Sequence, residues 1–444
     1  MQVVIIGGNA AGMSAASRLR RKVPEHQVIV FEKSGEVSYG ACGLPYYISG
    51  ENTDINRVRI RTAVAFRETG IDLRLYHIVQ RVDPVRKTVT VLDCVQNTNV
   101  EQPYDKLLVA SGSSPIMPAI PGHQLTGIFC LKTIDDAERI RSEIVDAAVK
   151  TVAIVGAGYI GMELAEACVH LGKELHIFEA KPQCLPGFDP EFGEAVEKEL
   201  EEHGACVHTD ESVTAFEGES RVTSLRTSKG NRCKVDLVVV CIGVRPNTAF
   251  LPADSVEMLR NGAIVTDSAM RSTDPDIFAA GDCATSWHAL LDCPVFLPLA
   301  TNANKQGRLA ADSISGEAVQ LKRALGTSML RCLGLEFGKV GLTQTEAENA
   351  GIPAKTITIQ ARTHARYYPG ASDITIKLCY NRENKVILGA QLMGNRETAW
   401  RTDVFACAID QGMTTTALGT LDLAYCPVIS TVWDPILIAG NAAK

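Results

Sequence analysis

An α/β protein with two parallel-sheet units and a differently built C-terminal unit is the fold class this sequence predicts. Three observations predict it. An apolar strand, a glycine turn and a helix follow one another twice, once from residue 2 and once from residue 151. Each helix leads into a second strand that ends on an acidic residue, Glu32 or Glu179. After about residue 325 the pattern changes to alternating strands with no glycine turn of that kind.

The first unit opens with an apolar strand over 2–6 and the turn Gly7-Gly8-Asn9-Ala10-Ala11-Gly12. Such glycines permit a tight turn and let backbone N–H groups and the helix N-terminus approach a pyrophosphate closely. The helix reaches Arg21, and the strand over 28–31 ends at Glu32, placed to accept hydrogen bonds from a ribose. Asn9 replaces the middle glycine, so its side chain is expected to point away from the phosphates. The second unit repeats the scheme with a strand over 151–155 and the turn Gly156-Ala157-Gly158-Tyr159-Ile160-Gly161. Its acid, Glu179, is followed by Ala180, which favours NADH because a 2′-phosphate would face an unpartnered carboxylate. Lys181 leaves NADPH open. Two complete fingerprints imply two Rossmann-like dinucleotide-binding domains.

The C-terminal stretch predicts antiparallel strands over 356–359, 374–380 and 386–393, the last two joined by a turn over 381–384. Thr343 to Glu346 reads as a capping box, and a longer helix is expected after Arg396. This is an α+β unit.

A chain of 444 residues exceeds one ordinary core, in keeping with several domains. A formal charge of -7 argues against general nucleic-acid binding. The 14 cysteines are scattered and no C-x-x-C occurs, which fits a reducing compartment and predicts no metal site. No apolar run approaches the roughly 20 residues that cross a bilayer, and Met1 leads straight into a strand. A cytoplasmic protein without membrane contact is expected.

Further segments carry a resemblance. Leu107 to Gly112, Cys241 to Asn247 and Ile277 to Asp282 accompany the two fingerprints. With them the chain resembles the FAD-dependent pyridine nucleotide–disulfide oxidoreductases over essentially its full length. The resemblance implies an FAD domain in two stretches, 1–113 and 246–325, around an NAD(P)H domain over 114–245. A dimerisation domain over 326–444 completes it. The residues implied for FAD are Gly7, Gly8, Ala11, Gly12, Glu32, Lys33, Ser111, Gly112, Asp282 and Ala300. Those implied for NAD(P)H are Gly156, Gly158, Tyr159, Ile160, Gly161, Glu163, Glu179 and Gly243. Tyr159 is expected to cover the nicotinamide pocket, and Glu163 to orient a cation near the flavin.

Ser38-Tyr39-Gly40-Ala41-Cys42-Gly43-Leu44-Pro45-Tyr46 resembles the coenzyme A-disulfide reductase group, in which a single cysteine faces the flavin. Tyr47 stands where dithiol members carry a second cysteine, and Ala10 where oxygen- or peroxide-reducing members carry histidine. Cys42 is expected to open a helix, whose N-terminus would stabilise a thiolate. The segments around Tyr367 and Tyr425 match those bearing the group's two active-site tyrosines, which implies a homodimer with both phenols entering the partner's active site. Ser14, Arg18, Arg21, Ser38, Arg61 and Asn304 are the implied grip on coenzyme A, through arginine forks on phosphate. Ala41 occupies a position that is often asparagine in coenzyme A-disulfide reductases, and the Ser-Tyr-Gly-Ala-Cys form also resembles reductases of persulfide or polysulfide. Coenzyme A disulfide and coenzyme A persulfide therefore both stand as substrates. The competing readings are an NADH oxidase or peroxidase cycling through a Cys42 sulfenic acid, a redox sensor, and a reductase feeding an iron protein.

Overall fold

The structure, a computed structural model, describes residues 1–320 and 323–444. The first unit is built on a parallel sheet of five strands. Their spatial order is Ile277–Ala279, Lys106–Val109, Gln2–Ile6, Gln27–Glu32 and Asp72–Leu75. Val3, Val4 and Ile5, with Val28 to Phe31 and Leu107 to Val109 on the strands beside them, are buried, because helices or a second sheet cover both faces. The outermost strand, Ile277–Ala279, enters only after the chain has built an entire second sheet. That sheet runs Cys206–His208, Glu174–Phe178, Thr151–Val155, Leu237–Val240, Ile128–Cys130, again all parallel. The chain leaves the first unit along Ser113–Pro115 and returns along Val244–Pro246. These two short strands pair with each other in one antiparallel ribbon.

Each parallel sheet is faced by a three-stranded antiparallel meander. One comprises His77–Asp83, Thr88–Asp93 and Thr98–Pro103, the other Val213–Glu217, Ser224–Thr227 and Arg232–Lys234. The C-terminal unit is a five-stranded antiparallel sheet ordered Ser328–Cys332, Leu335–Gly341, Ile387–Gly394, Asp373–Asn381, Ala354–Arg362. The turn after Tyr380 is held by Asn381, whose side chain accepts from the Glu383 and Asn384 N–H groups. The capping box at Thr343 is present, with Glu346 returning to the Thr343 N–H. A longer helix does follow Arg396, nine residues against six for the helix that the capping box opens. A 3-10 turn over Ala399–Arg401 precedes Thr402–Asp410, because Glu336 holds the Thr398 and Ala399 N–H groups and starts the segment early. Among the described residues no helix is long and apolar enough to cross a membrane.

The helix Leu44–Ser49 joins the units. Leu44 and Ile48 belong to the core formed by Tyr159–His170 and Ile134–Ile144 of the second unit, alongside Met162, Cys168 and Ile140. Arg141 closes its far end by donating to the Tyr47 and Ile48 carbonyls at 2.7 and 2.8 Å. Removing Ile48 to alanine would leave a void at this junction, costing about 2–5 kcal/mol. The residue just ahead of this helix is thereby fixed at the boundary between two nucleotide-binding folds.

Candidate active site

The two glycine turns are shaped alike by sterics. A Cβ on Gly12 would lie 1.9 Å from the Gly7 carbonyl oxygen, and one on Gly161 would lie 2.0 Å from that of Gly156. Both distances are far inside contact, so each helix can sit against its turn only with glycine there. Neither the Ala10–Lys22 nor the Tyr159–His170 helix has a side-chain cap, so their first N–H groups stay available. The acids fold back on the turns. Glu32 accepts from Gly8 N at 2.7 Å and from Ser34, while Glu179 accepts from Ala157 N at 2.7 Å and Lys181 N at 2.9 Å. Asn9 turns away as expected, its side-chain oxygen accepting from Tyr39 N at 3.1 Å. It therefore ties the turn to the segment that leads to Cys42.

Asp282 sits in the turn after Ile277–Ala279, held by Gln306, which accepts from Gly281 N and donates to Thr285 and Ser286. Gly307 lets the Ala300–Ile314 helix lie directly on Ala10–Lys22, since a Cβ there would fall 2.2 Å from the Ala11 oxygen. Two uncapped helix heads, with Ala300 opening the second, thus frame the cleft of the first unit. Ser111 and Gly112 line its floor, Ser111 donating to the Asn247 carbonyl and Gly112 lying at φ +67° with open space beside it. Lys33 is exposed at its edge. These free donors, the close-approach glycines and the Glu32 carboxylate fit an FAD pyrophosphate and ribose.

The structure adds a residue that no motif announces. Lys132 donates to Asp282 at 2.9 Å and to Ser113 at 3.0 Å, and Ser113 donates to Asp282 at 3.0 Å. Lys132 comes from the second unit, just before the Ile134–Ile144 helix, so this pair also spans the junction. It was invisible in sequence because the two partners lie 150 residues apart.

Cys42 lies in a 3-10 turn, Ala41–Gly43, that runs into Leu44–Ser49. It precedes the α-helix rather than beginning it, and the residue is exposed although its thiol is partly desolvated. The expectation of a stabilised thiolate is not met by these surroundings. Desolvation by the cleft walls, then the Glu163 carboxylate and further on Asp282, raise the thiol above its ordinary range, while Lys132 opposes them. Glu163 is itself pushed up to about 7, first by burial and then by Glu166. Glu166 is held by Arg331 at 2.8 Å. Below pH 7 the Glu163 group is largely neutral and leaves Cys42 alone; above it the anion resists thiolate formation. Glu163→Gln should therefore speed alkylation of Cys42 by iodoacetamide several-fold above pH 7 and change it little well below. Superimposable rate–pH profiles for the two proteins would show that this carboxylate does not act on the sulfur.

Tyr47 fills the position of a second cysteine by packing under the Arg141 guanidinium, 5.1 Å from the ring centre. Tyr159 stands at the mouth of the second unit, its hydroxyl 2.6 Å from Ser328 Oγ and its ring against Phe188. Ile160 is exposed beside it, and Gly243 lies at φ +117° where the chain turns back toward the first unit.

The six residues expected to grip a coenzyme divide into groups. Ser14 donates to Asn304 at 2.8 Å, joining the two helices that frame the cleft. Arg18 is already forked onto Asp312 at 2.7 and 2.9 Å, with Lys22 on the same carboxylate. Arg21 is exposed and makes no ion pair among the described residues. Arg61 lies 4.3 Å over the Phe66 ring and donates to Ala65 O. Ser38, at φ +47°, accepts from Ile60 N, which brings it close to the Arg61 segment.

Tyr367 and Tyr425 meet hydroxyl to hydroxyl at 2.7 Å on the surface of the C-terminal unit. They are 76% and 45% exposed, among exposed Tyr368, Ile429, Val432 and Trp433. No hydrogen bond among the described residues joins either phenol to Cys42 of the same chain. The hydrogen bond from its neighbour raises the Tyr425 phenol from its usual range.

Comparison with known proteins bears on this arrangement. The family model described as pyridine nucleotide-disulphide oxidoreductase matches residues 1–307, and that of its dimerisation domain matches 332–435. The NAD(P)H coenzyme A polysulfide/persulfide reductase of Pyrococcus horikoshii is 36% identical over 100% of this chain and 98% of its own length. An NADH oxidase of Methanocaldococcus jannaschii is 32% identical, with coverage of 100% and 98%. The crystal structure of reduced Bacillus anthracis CoADR-RHD superposes with a TM-score of 0.96 at 31% identity. The match covers 100% of this chain and 80% of that one.

Proposed function

Because this chain belongs to the pyridine nucleotide-disulphide oxidoreductase family and is an NAD(P)H-dependent flavoprotein, we propose that it reduces coenzyme A disulfide or coenzyme A persulfide through Cys42. The observation that carries the reading is one exposed sulfur at the junction of two nucleotide clefts, with Tyr47 in place of a resolving thiol. FAD, bound along Gly7–Gly12, Glu32 and Asp282, would supply the two-electron link between nicotinamide and sulfur. The domain limits follow the same reading: 1–113 with 246–325 for FAD, 114–245 for NAD(P)H, and 326–444 for dimerisation.

The chain's own residues then divide the work. Glu179 holds the nicotinamide ribose, and Tyr159 excludes water from the nicotinamide position until the cofactor arrives. Lys132 keeps Asp282 oriented at the FAD side of the junction. The Cys42 thiolate attacks one sulfur of the substrate, forming a Cys42–S–S bond as the substrate S–S bond breaks. The first coenzyme A thiolate leaves and takes a proton. Two electrons from NAD(P)H, with a proton, then cleave the mixed disulfide and free the second thiol; with a persulfide, the two products are coenzyme A and sulfide. The phenol of Tyr425, backed by Tyr367 and supplied by the partner of a homodimer, donates a proton to the leaving thiolate. Arg21, without an ion pair among the described residues, and Arg61 at the other edge contact the coenzyme phosphates, and Ser14, Ser38 and Asn304 contact its polar groups. Arg18 contributes after its fork is shared with Asp312.

A second reading, oxygen reduction through a Cys42 sulfenic acid, is supported by the exposure of the same sulfur and opposed by Ala10. Steady-state NADH oxidation separates the two. The proposal expects turnover with coenzyme A disulfide or persulfide at least about tenfold above turnover in air-saturated buffer alone. Fast consumption in air that neither sulfur substrate increases would replace it with the oxidase.

A further inference from the structure

Arg401 is a large, fully charged side chain with 0% exposure, buried beside Asp434 at 5%. Nothing in the redox cleft touches it. A buried ion pair gains little net stability over a well-packed apolar pair, so its geometry is the feature to account for. Its Nε and Nη2 fork onto the Asp434 carboxylate at 2.9 to 3.2 Å. The same Nη2 donates to the Thr363 carbonyl at 2.9 Å, and Nη1 donates to the Glu397 carbonyl.

Those acceptors stand at the roots of two segments. Thr363 closes the excursion over 363–372, pairing its N–H with Ser372 O at 2.9 Å and its hydroxyl with Ser372 N at 3.2 Å. Tyr367 rides on that excursion. Asp434 ends the segment that begins with Tyr425 and caps the Pro435–Ala442 helix by accepting from Ile436 N at 3.0 Å. Between the roots, Ala365 N donates to Pro427 O at 3.2 Å, and Ser430 folds the second segment back onto Ala424 and Cys426. One guanidinium thus spans the bases of both tyrosine-bearing segments, and a 2.7 Å contact between two exposed phenols requires both bases to be fixed.

We infer that the Arg401–Asp434 pair is a positioning clamp that sets the Tyr367–Tyr425 contact and so the proton delivery made by Tyr425. The inference rests on the role proposed above for the tyrosines and extends it to residues that never meet substrate. Fork geometry matters as well as charge, since lysine cannot bridge a carboxylate and a carbonyl as a planar fork does.

Holoenzyme carrying Asp434→Asn keeps a capping side chain but loses the ion pair; Arg401→Lys keeps the charge but loses the fork. Each is measured beside Tyr425→Phe and the double variants, with dimer content and FAD reduction by NADH followed in parallel. Tyr425→Phe should lower kcat with coenzyme A disulfide on the order of 100-fold. Each clamp variant should lower it at least about tenfold, with KM and FAD reduction held within about twofold. In the Tyr425→Phe background the clamp variants should remove no more than about a further twofold, because they act through that phenol. A full additional loss in that background, or clamp variants with wild-type kcat beside an impaired Tyr425→Phe enzyme, would overturn the clamp alone. A fully active Tyr425→Phe enzyme would overturn the tyrosine role and the clamp with it. Should Asp434→Asn fail to assemble, Arg401→Lys carries the same comparisons.

Discussion

Cys42→Ser should purify as a yellow dimer that still accepts a hydride from NADH, yet turns over coenzyme A disulfide on the order of 1000-fold or more slowly. A serine hydroxyl is a far weaker nucleophile than a thiolate and cannot form an S–S bond, so the loss belongs to the sulfur step. The structure makes this substitution a clean one. Cys42 sits exposed in a 3-10 turn whose shape is set by backbone bonds, including Gly43 N to Gly40 O at 2.9 Å, and by the buried anchors Leu44 and Ile48. None of these involves the sulfur. FAD content and NADH-dependent bleaching should match the native protein, and anaerobic stopped-flow absorbance checks both. Disulfide turnover that survives the exchange would move the chemistry to another residue.

Gly12→Val should give colourless protein. The Cβ at this position would lie 1.9 Å from the Gly7 carbonyl oxygen and 3.3 Å from Ile5 Cγ2, one a turn backbone and the other a buried strand. Neither can withdraw cheaply, so the helix head must move off the turn and the pyrophosphate cradle is lost. Bound FAD should fall from near one per chain to below about a tenth. Gly161→Val carries an equivalent clash, 2.0 Å from the Gly156 oxygen, in the other unit. That variant should keep its FAD and lose its reduction by NADH. Equal loss of colour in both variants would mean that the substitutions disrupt folding generally rather than one cofactor cleft each.

Much of this site could be read from sequence because its signals are local. A glycine turn between strand and helix, and an acid at the next strand end, depend on residues within about thirty positions of each other. Glu32 and Glu179 accordingly stand where the pattern places them, each bonded to its turn. What the sequence hides depends on long-range pairing. Lys132 reaches Asp282 across the junction, Arg18 is taken up by Asp312 from 294 positions away, and Arg401 finds Asp434 and Thr363. Nothing in the neighbourhood of any one of them names its partner. The two meanders are illegible in the sequence for another reason. Their strands carry mixed patterns, such as the almost fully exposed Thr98–Pro103, so period-2 alternation is too weak to mark them. The strands Ser328–Cys332 and Leu335–Gly341 are likewise hard to read, because in the turn Leu333-Gly334 that joins them the left-handed position, φ +55°, falls on the leucine and not on the glycine.

The environment of Cys42 also corrects a simple sequence argument. A cysteine ahead of a helix implies an acidic thiol, but the six-residue helix here is set against partial burial first and the Glu163 carboxylate second. In this protein desolvation, and after it the Glu163 and Asp282 carboxylates against Lys132, raise the thiol.

The most direct test is to trap the enzyme between its two half-reactions. Protein with Cys42 as the free thiol and its FAD oxidised is mixed anaerobically, without NADH, with one equivalent of coenzyme A disulfide, quenched with acid, digested without reductant and weighed by mass spectrometry. The account predicts one coenzyme A mass on the peptide containing Cys42, with one equivalent of free coenzyme A released. A chain that consumes the disulfide while Cys42 stays unmodified, or that carries the coenzyme on a different cysteine, would contradict it.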